Sequence, residues 1–114
     1  EGIQIQDFNS MNHENLIIDM SSDLGSYKFN FDNLSYVYAG AQKNMGIPGV
    51  TICFAKDNFL IETDNPKYLN LNLLTKSNST LNTPPTFSIY VLNLVTNWML
   101  EMGGIDYFQN KSNK

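Results

Sequence analysis

The chain has 114 residues, 42% hydrophobic and 16% charged, which suits a single domain with an apolar core. Its net charge of −4, with seven lysines and no arginine, excludes a basic nucleic-acid-binding stripe and any arginine clamp for carboxylates or phosphates. One cysteine rules out an internal disulfide and suits the reducing cytoplasm, and no apolar run reaches the roughly 18–20 residues that span a bilayer. The chain begins at Glu1 without Met, which indicates a piece of a longer protein.

The first half of the chain contains three short apolar runs that are typical of strands. They cover residues 16–20, 36–40 and 50–55, and they contain many β-branched or aromatic residues. Cys53 lies in the third run and is predicted to be a small core residue. A weaker alternation over residues 2–8 predicts a further short strand, and Asp57 is placed to cap a short helix.

A long helix is predicted over residues 86–102. Apolar residues recur there at intervals of three and four, which places them on one stripe of the helix. Two prolines precede this segment and two glycines follow it, as is usual at helix boundaries. Trp98 and Met102 fall on the stripe and are therefore predicted to lie in the core.

The order of the elements is typical of an α/β protein with an incomplete fold. Residues 69–83 have the polar composition of a loop, and a further helix is expected to begin near Ile105. Three strands followed by one long helix would leave one face of the sheet uncovered. This again indicates that part of the fold lies outside the chain.

Lys43 lies in a loop of small residues directly after the second predicted strand. Gly40, Ala41 and Gly46 are its neighbours, and such residues let a bulky ligand approach the backbone. A lysine held at a strand end can form a Schiff base with a carbonyl compound. A solvated loop lysine is the simpler alternative, and the spacing alone favours it.

Asp19 ends the first apolar run, where a carboxylate is costly unless it is paired. It either faces a ligand at the carboxyl edge of the sheet or caps the next turn through Ser21 and Ser22. Since Asp19 and Lys43 each follow an apolar strand, both could face one edge of one sheet. A cofactor with an aldehyde and a ring nitrogen, such as pyridoxal phosphate, needs this pair of residues.

Three separated segments resemble the phosphoserine aminotransferase family. They are Asp19-Met20-Ser21-Ser22, Tyr38-Ala39-Gly40-Ala41-Gln42-Lys43-Asn44 and Asn82-Thr83-Pro84-Pro85-Thr86-Phe87-Ser88-Ile89-Tyr90, and they occur in the family's order. The resemblance covers residues 3–109. It implies that residues 1–114 form the central part of the large domain of a fold-type I aminotransferase. Such a domain has a mostly parallel sheet with flanking helices, incomplete in this chain.

The resemblance also implies a reaction and a cofactor. The family is a pyridoxal 5′-phosphate-dependent transaminase of serine biosynthesis that works as a homodimer. It exchanges the amino group between O-phospho-L-serine and 2-oxoglutarate, giving 3-phosphohydroxypyruvate and L-glutamate. The resemblance therefore implies pyridoxal phosphate as cofactor and these small molecules as substrates.

Five residues match positions of the family that contact the cofactor. Lys43 matches the lysine that forms the Schiff base, and Asp19 matches the carboxylate beside the pyridine nitrogen. Gln42 matches a contact to the cofactor phosphate. Asn82 and Thr83 match a pair that reaches the phosphate of the partner's cofactor across the dimer interface. No metal site is expected, since a lone histidine and a lone cysteine do not form one.

The chain also departs from the family. Where the family usually has Arg or Lys followed by Pro, about eight residues after Asp19, this chain has Ser26-Tyr27-Lys28-Phe29. The family's cofactor-stacking aromatic residue and its substrate-binding Arg and His residues have no counterpart, so the 114 residues alone are expected to be inactive. Two alternatives remain: a non-catalytic truncated remnant or interaction module of the same fold, or another fold-type I aminotransferase. The segment 82–85 argues against the latter.

Overall fold

The computed structural model describes residues 5, 7, 10, 11, 13 and 15–112, and the predicted strand over residues 2–8 falls largely outside them. The elements in chain order are β1 (Leu16–Asp19), β2 (Leu34–Gly40), β3 (Thr51–Ala55), α1 (Leu71–Lys76), α2 (Thr86–Glu101) and α3 (Gly104–Ser112). The three apolar runs are therefore strands, and both helices predicted after residue 85 are present. The short helix predicted at Asp57 is a single 3₁₀ turn, Asp57–Phe59, and a second turn covers Lys67–Leu69.

Helix α1 lies where a polar loop was predicted. The Asn70 side chain caps it by accepting a hydrogen bond from the Leu73 N–H over 3.0 Å. Asn78 and Ser79 then take positive φ angles of 51° and 61°, which ends the helix. The Asn70 cap explains why a helix forms where a loop is predicted, because it stabilises a helix start that the polar composition of the segment does not indicate.

The three strands form one sheet in the order β1-β2-β3. β1 is parallel to β2, with Asp19 opposite Tyr38, whereas β3 is antiparallel to β2, with Cys53 opposite Tyr38. The connection over residues 20–33 is long enough for the crossover of about a dozen residues that a parallel pair needs. The connection over residues 41–50 is shorter and contains no helix. The α/β class is confirmed, and within the described residues the sheet is mixed rather than mostly parallel.

The core lies on one side of β2, against the turn that follows β1. Its buried members are Met20, Leu24, Tyr27, Leu34, Val37 and Ala39. Helix α2 adds Met99, and the Met99 and Met45 side chains lie against Gly25, which has a φ of +83°. The carboxyl ends of β1 and β2 and the loop that follows β2 are thus tied to one packed cluster.

Three predicted core residues are exposed, and these predictions were wrong. Cys53 lies on the outer strand β3, where the described residues do not cover it. Trp98 is 51% exposed and Met102 is 38% exposed, whereas Met99 is the buried residue of α2. Helix α2 carries apolar residues on more than one face, so the periodicity predicted the helix correctly but did not decide which face packs inward.

Candidate cofactor site

Asp19 ends β1 with an exposed side chain that is nevertheless well hydrogen-bonded. Its Oδ1 atom accepts a hydrogen bond from the Ser21 hydroxyl over 2.6 Å and another from the Ser21 backbone N–H over 2.8 Å. These two bonds are the main causes that lower the pKa of Asp19 from its ordinary value. Burial opposes them, and a hydrogen bond from Tyr38 and the charge of Lys43 make smaller contributions that also lower this pKa. Asp19 is therefore held as a carboxylate.

Tyr38 lies directly opposite Asp19 on the neighbouring strand. The negative charge of Asp19 raises the pKa of the Tyr38 phenol, together with partial burial and the hydrogen bond between the two side chains. The phenol thus stays protonated and donates to the carboxylate. The role of Tyr38 cannot be predicted from the sequence, because it depends on the pairing register of β1 and β2.

Lys43 lies in a helical turn that begins directly after β2. The Met45 N–H donates to the Ala41 carbonyl over 3.1 Å, and the Ala41 N–H donates to the Val50 carbonyl over 2.9 Å. Lys43 is exposed, and its charge acts on Asp19. The structure therefore places the two predicted residues at the same carboxyl edge of the parallel strand pair.

Asn44 anchors this turn to the core. Its Nδ2 atom donates to the Ser22 carbonyl over 3.2 Å and to the Leu24 carbonyl over 3.4 Å. Both carbonyls belong to the turn that follows Asp19, so Asn44 joins the loop that carries Lys43 to the end of β1. The sequence marks Asn44 only as part of a motif, whereas the structure shows that its side chain holds the loop in place.

Gln42 folds back over Gly40. A Cβ atom on Gly40 would overlap the Gln42 side-chain amide, which is the end of a flexible, exposed side chain and could move aside. Gln42 is exposed beside Lys43 and carries a neutral donor and acceptor at the same sheet edge.

The far end of the Lys43 loop rests on α2. A Cβ atom on Gly46 would lie 3.5 Å from Val91 Cγ1, which is an ordinary packing distance. Asn82 and Thr83 are exposed just before this helix. Within the described residues, no hydrogen bond or ion pair joins either of them to Asp19, Gln42 or Lys43. Asp19, Gln42 and Lys43 thus lie at or directly after the carboxyl ends of β1 and β2, and the role of all five residues in a cofactor site stays a prediction.

Two classes of site and segment are absent from the part of the chain that the structure describes. No group of three or more His, Cys, Asp or Glu residues could hold a metal ion there. Among the described residues, no helix is long and apolar enough to cross a membrane. The site is thus built from one carboxylate, one amine and neutral polar groups.

Residues 2–114 match the family model described as aminotransferase class-V. The chain belongs to the aminotransferase class-V family. It is 40% identical to the phosphoserine aminotransferase of Niallia circulans, over all of this chain and 32% of that protein. Asp19 and Lys43 both lie within the matched residues of this class-V aminotransferase chain.

Solved structures show the same similarity. The phosphoserine aminotransferase from Bacillus circulans subsp. alkalophilus matches with a TM-score of 0.89 and 38% identity, covering 96% of this chain and 31% of that one. The pyridoxal phosphate-bound phosphoserine aminotransferase from Trichomonas vaginalis matches with a TM-score of 0.78 and 32% identity, over 84% of this chain and 28% of that one. The class-V chain spans about a third or less of the length of the curated relatives it matches.

Proposed function

We propose that residues 1–114 form the central part of the large, cofactor-binding domain of a phosphoserine aminotransferase. The whole protein would exchange the amino group between O-phospho-L-serine and 2-oxoglutarate, giving 3-phosphohydroxypyruvate and L-glutamate, in the cytoplasm. The observation that carries this proposal is the shared sheet edge at which β1 ends in Asp19, opposite Tyr38, and β2 ends directly before the loop that carries Lys43. The names and the similarity of the relatives support the substrate pair.

The side chains present fit pyridoxal phosphate. When bound, this cofactor supplies an aldehyde carbon that bonds to amines and a protonated ring that accepts electrons from the substrate α-carbon. Asp19 keeps its negative charge and would hold the proton on the ring nitrogen. Lys43 would bind the aldehyde carbon and, once released, would carry the proton to and from the substrate α-carbon.

Three neutral side chains complete the proposed site. Gln42 would donate to the cofactor phosphate, from its position beside Lys43 and over Gly40. Asn82 and Thr83 are exposed and unconnected to Asp19 within the described residues, as expected for groups that serve a second subunit. We therefore include a homodimer in the proposal, in which these two residues reach the phosphate of the partner's cofactor.

Mixed dimers of the full-length product of the native gene test this arrangement. Lys43→Ala homodimers and Asn82→Ala/Thr83→Ala homodimers are each expected to have little transaminase activity. In a hybrid of the two, one site would combine an intact Lys43 with intact Asn82 and Thr83 from the other subunit. Recovery of up to about half of the activity per dimer supports the shared site, because one of the two sites is restored. Hybrids as inactive as their parents would overturn it.

Substrate preference tests the reaction itself. The full-length protein is expected to transfer the amino group from O-phospho-L-serine to 2-oxoglutarate far faster than from serine or aspartate. Preference for an unphosphorylated donor would instead favour another fold-type I aminotransferase. The intact mass of the native gene product addresses the remaining alternative. A mass matching these 114 residues would favour a non-catalytic remnant, since this chain has no arginine to bind the substrates.

A further inference from the structure

At the end of β1, the Ser21 side chain accepts a hydrogen bond that a backbone carbonyl would accept in a regular parallel pair. The parallel ladder continues past Asp19, because the Met20 N–H donates to the Tyr38 carbonyl over 2.8 Å. The next regular bond of a parallel pair would run from the Gly40 N–H to the Met20 carbonyl. That carbonyl instead accepts from the Asp23 and Leu24 N–H groups, over 3.1 Å and 2.9 Å, since the chain turns here.

The Ser21 hydroxyl occupies the acceptor position that the Met20 carbonyl leaves. The Gly40 N–H donates to Ser21 Oγ over 2.9 Å. Because this bond uses a lone pair of the oxygen, the single hydroxyl hydrogen is available for Asp19 Oδ1 at 2.6 Å. The direction of both bonds is therefore fixed, and the hydroxyl links the carboxylate to the last residue of β2.

We propose that Ser21 is a positioning residue for the cofactor site, holding the Asp19 carboxylate in the orientation that binds a protonated ring nitrogen. The inference rests on the proposed pyridoxal phosphate function and deepens it. Ser21 acts through Asp19 and is not itself a catalytic residue. Through Gly40 it also couples the carboxylate to the start of the loop that carries Lys43.

A simple turn after Asp19 does not require this serine. An aspartate that closes a turn needs only the backbone N–H two residues later, which nearly every residue type supplies. That bond is present here over 2.8 Å. The hydroxyl bond to Asp19 is an addition to it, and the same hydroxyl also accepts the Gly40 N–H of the neighbouring strand. The Ser21 hydroxyl therefore has a role beyond forming the turn.

The groups that act on Asp19 come from two elements besides its own turn. Tyr38 on β2 donates to the carboxylate, and Lys43 in the following loop attracts it electrostatically. Asp23, in the turn after β1, lines the same cavity of about 260 Å³ as Asp19. Removal of the Ser21 hydroxyl would leave Tyr38, Lys43 and Asp23 in place. A shift in the acid side of the pH profile of cofactor binding can therefore be assigned to the lost hydroxyl.

The test measures cofactor binding by the full-length protein as a function of pH. The dissociation constant of pyridoxal phosphate is obtained by absorbance or fluorescence for wild type, Ser21→Ala and Ser21→Thr, with Ser22→Ala as the matched control. Ser21→Ala is expected to bind about tenfold more weakly, as for the loss of one charge-assisted hydrogen bond. Its acid-side midpoint is expected to shift to higher pH, because Asp19 loses a donor. Ser21→Thr keeps the hydroxyl and Ser22→Ala keeps Ser21, so both are expected to resemble wild type.

Distinct outcomes would overturn the inference. Wild-type affinity in Ser21→Ala at every pH, or equal losses in Ser21→Ala and Ser21→Thr, would exclude positioning by the hydroxyl. If Ser21→Ala does not fold, Ser21→Cys keeps the size of the side chain with a weaker donor. Its affinity is expected to lie below that of Ser21→Thr, and equality of the two would overturn the inference. A wild-type protein that binds no pyridoxal phosphate would overturn the proposed function as well, which separates the two failures.

Discussion

The Ser88 hydroxyl donates a hydrogen bond to the Pro48 carbonyl over 2.8 Å, between residues 40 positions apart in the chain. This bond joins the first turn of α2 to the far end of the Lys43 loop. Gly49 makes the approach possible, because its φ is +114° and a Cβ atom there would lie 2.8 Å from Ser88 Oγ. The loop is thus fixed by α2 at one end and by Asn44 at the other.

Replacement of Gly49 by alanine is expected to destabilise the full-length protein. The added Cβ would displace Ser88 and place a side chain at a positive φ, for a loss of about 2–3 kcal/mol in the free energy of unfolding. Gly104→Ala is the matched control. Its φ is +67° and nothing lies within 4 Å of an added Cβ, so only about 1 kcal/mol of backbone strain is expected. Equal losses in urea unfolding would argue against the close contact with Ser88.

Asn44→Ala is expected to loosen the Lys43 loop from the turn after β1. Two hydrogen bonds to backbone carbonyls are lost, so the free energy of unfolding should fall by about 1–2 kcal/mol, and turnover should fall with it. Asn97→Ala, on the exposed side of α2, is the control and is expected to leave both quantities nearly unchanged. Thermal unfolding and transaminase assays measure the two effects. Similar behaviour of both variants would show that Asn44 does not anchor the loop.

Lys43→Ala is expected to abolish both turnover and covalent attachment of the cofactor. Borohydride reduction followed by peptide mass analysis should add the mass of reduced pyridoxal phosphate to the peptide that contains Lys43 in wild type only. Lys67→Ala removes another exposed lysine and is expected to behave as wild type. Retained transaminase activity in Lys43→Ala, or attachment at a different lysine, would refute the assignment.

The sequence predicted the strands and the placement of Asp19 and Lys43 for a simple physical reason. Each strand is a short apolar run followed by turn-forming residues, and the carboxyl ends of parallel neighbours meet at one sheet edge. The packing of Cys53 and Trp98 could not be predicted, because an apolar residue does not reveal which of its faces another element covers. The role of Ser21 could not be predicted for a related reason, since it depends on where the Met20 carbonyl points once the chain turns.

The pH dependence of stability provides a direct check on the Asp19 carboxylate. Its folded-state pKa lies below the ordinary value, mainly because Ser21 donates two hydrogen bonds to it. The carboxylate therefore adds stability that is complete above its unfolded-state pKa of about 3.9 and is lost as the pH falls through the folded-state pKa. In Asp19→Asn this contribution is absent at every pH.

The free energies of unfolding of wild type and Asp19→Asn should consequently differ by a constant amount above about pH 5. The difference should shrink as the pH falls further. Urea unfolding of full-length wild type and Asp19→Asn, at matched pH values from about 2 to 6, measures this difference. Tyr38→Phe provides a graded comparison. It removes one weaker donor and so raises the folded-state pKa of Asp19. The stability that the carboxylate adds should therefore start to be lost at a slightly higher pH in Tyr38→Phe than in wild type. A wild-type and Asp19→Asn difference that does not vary with pH would show that the carboxylate is not stabilised by Ser21 and Tyr38 in the folded protein.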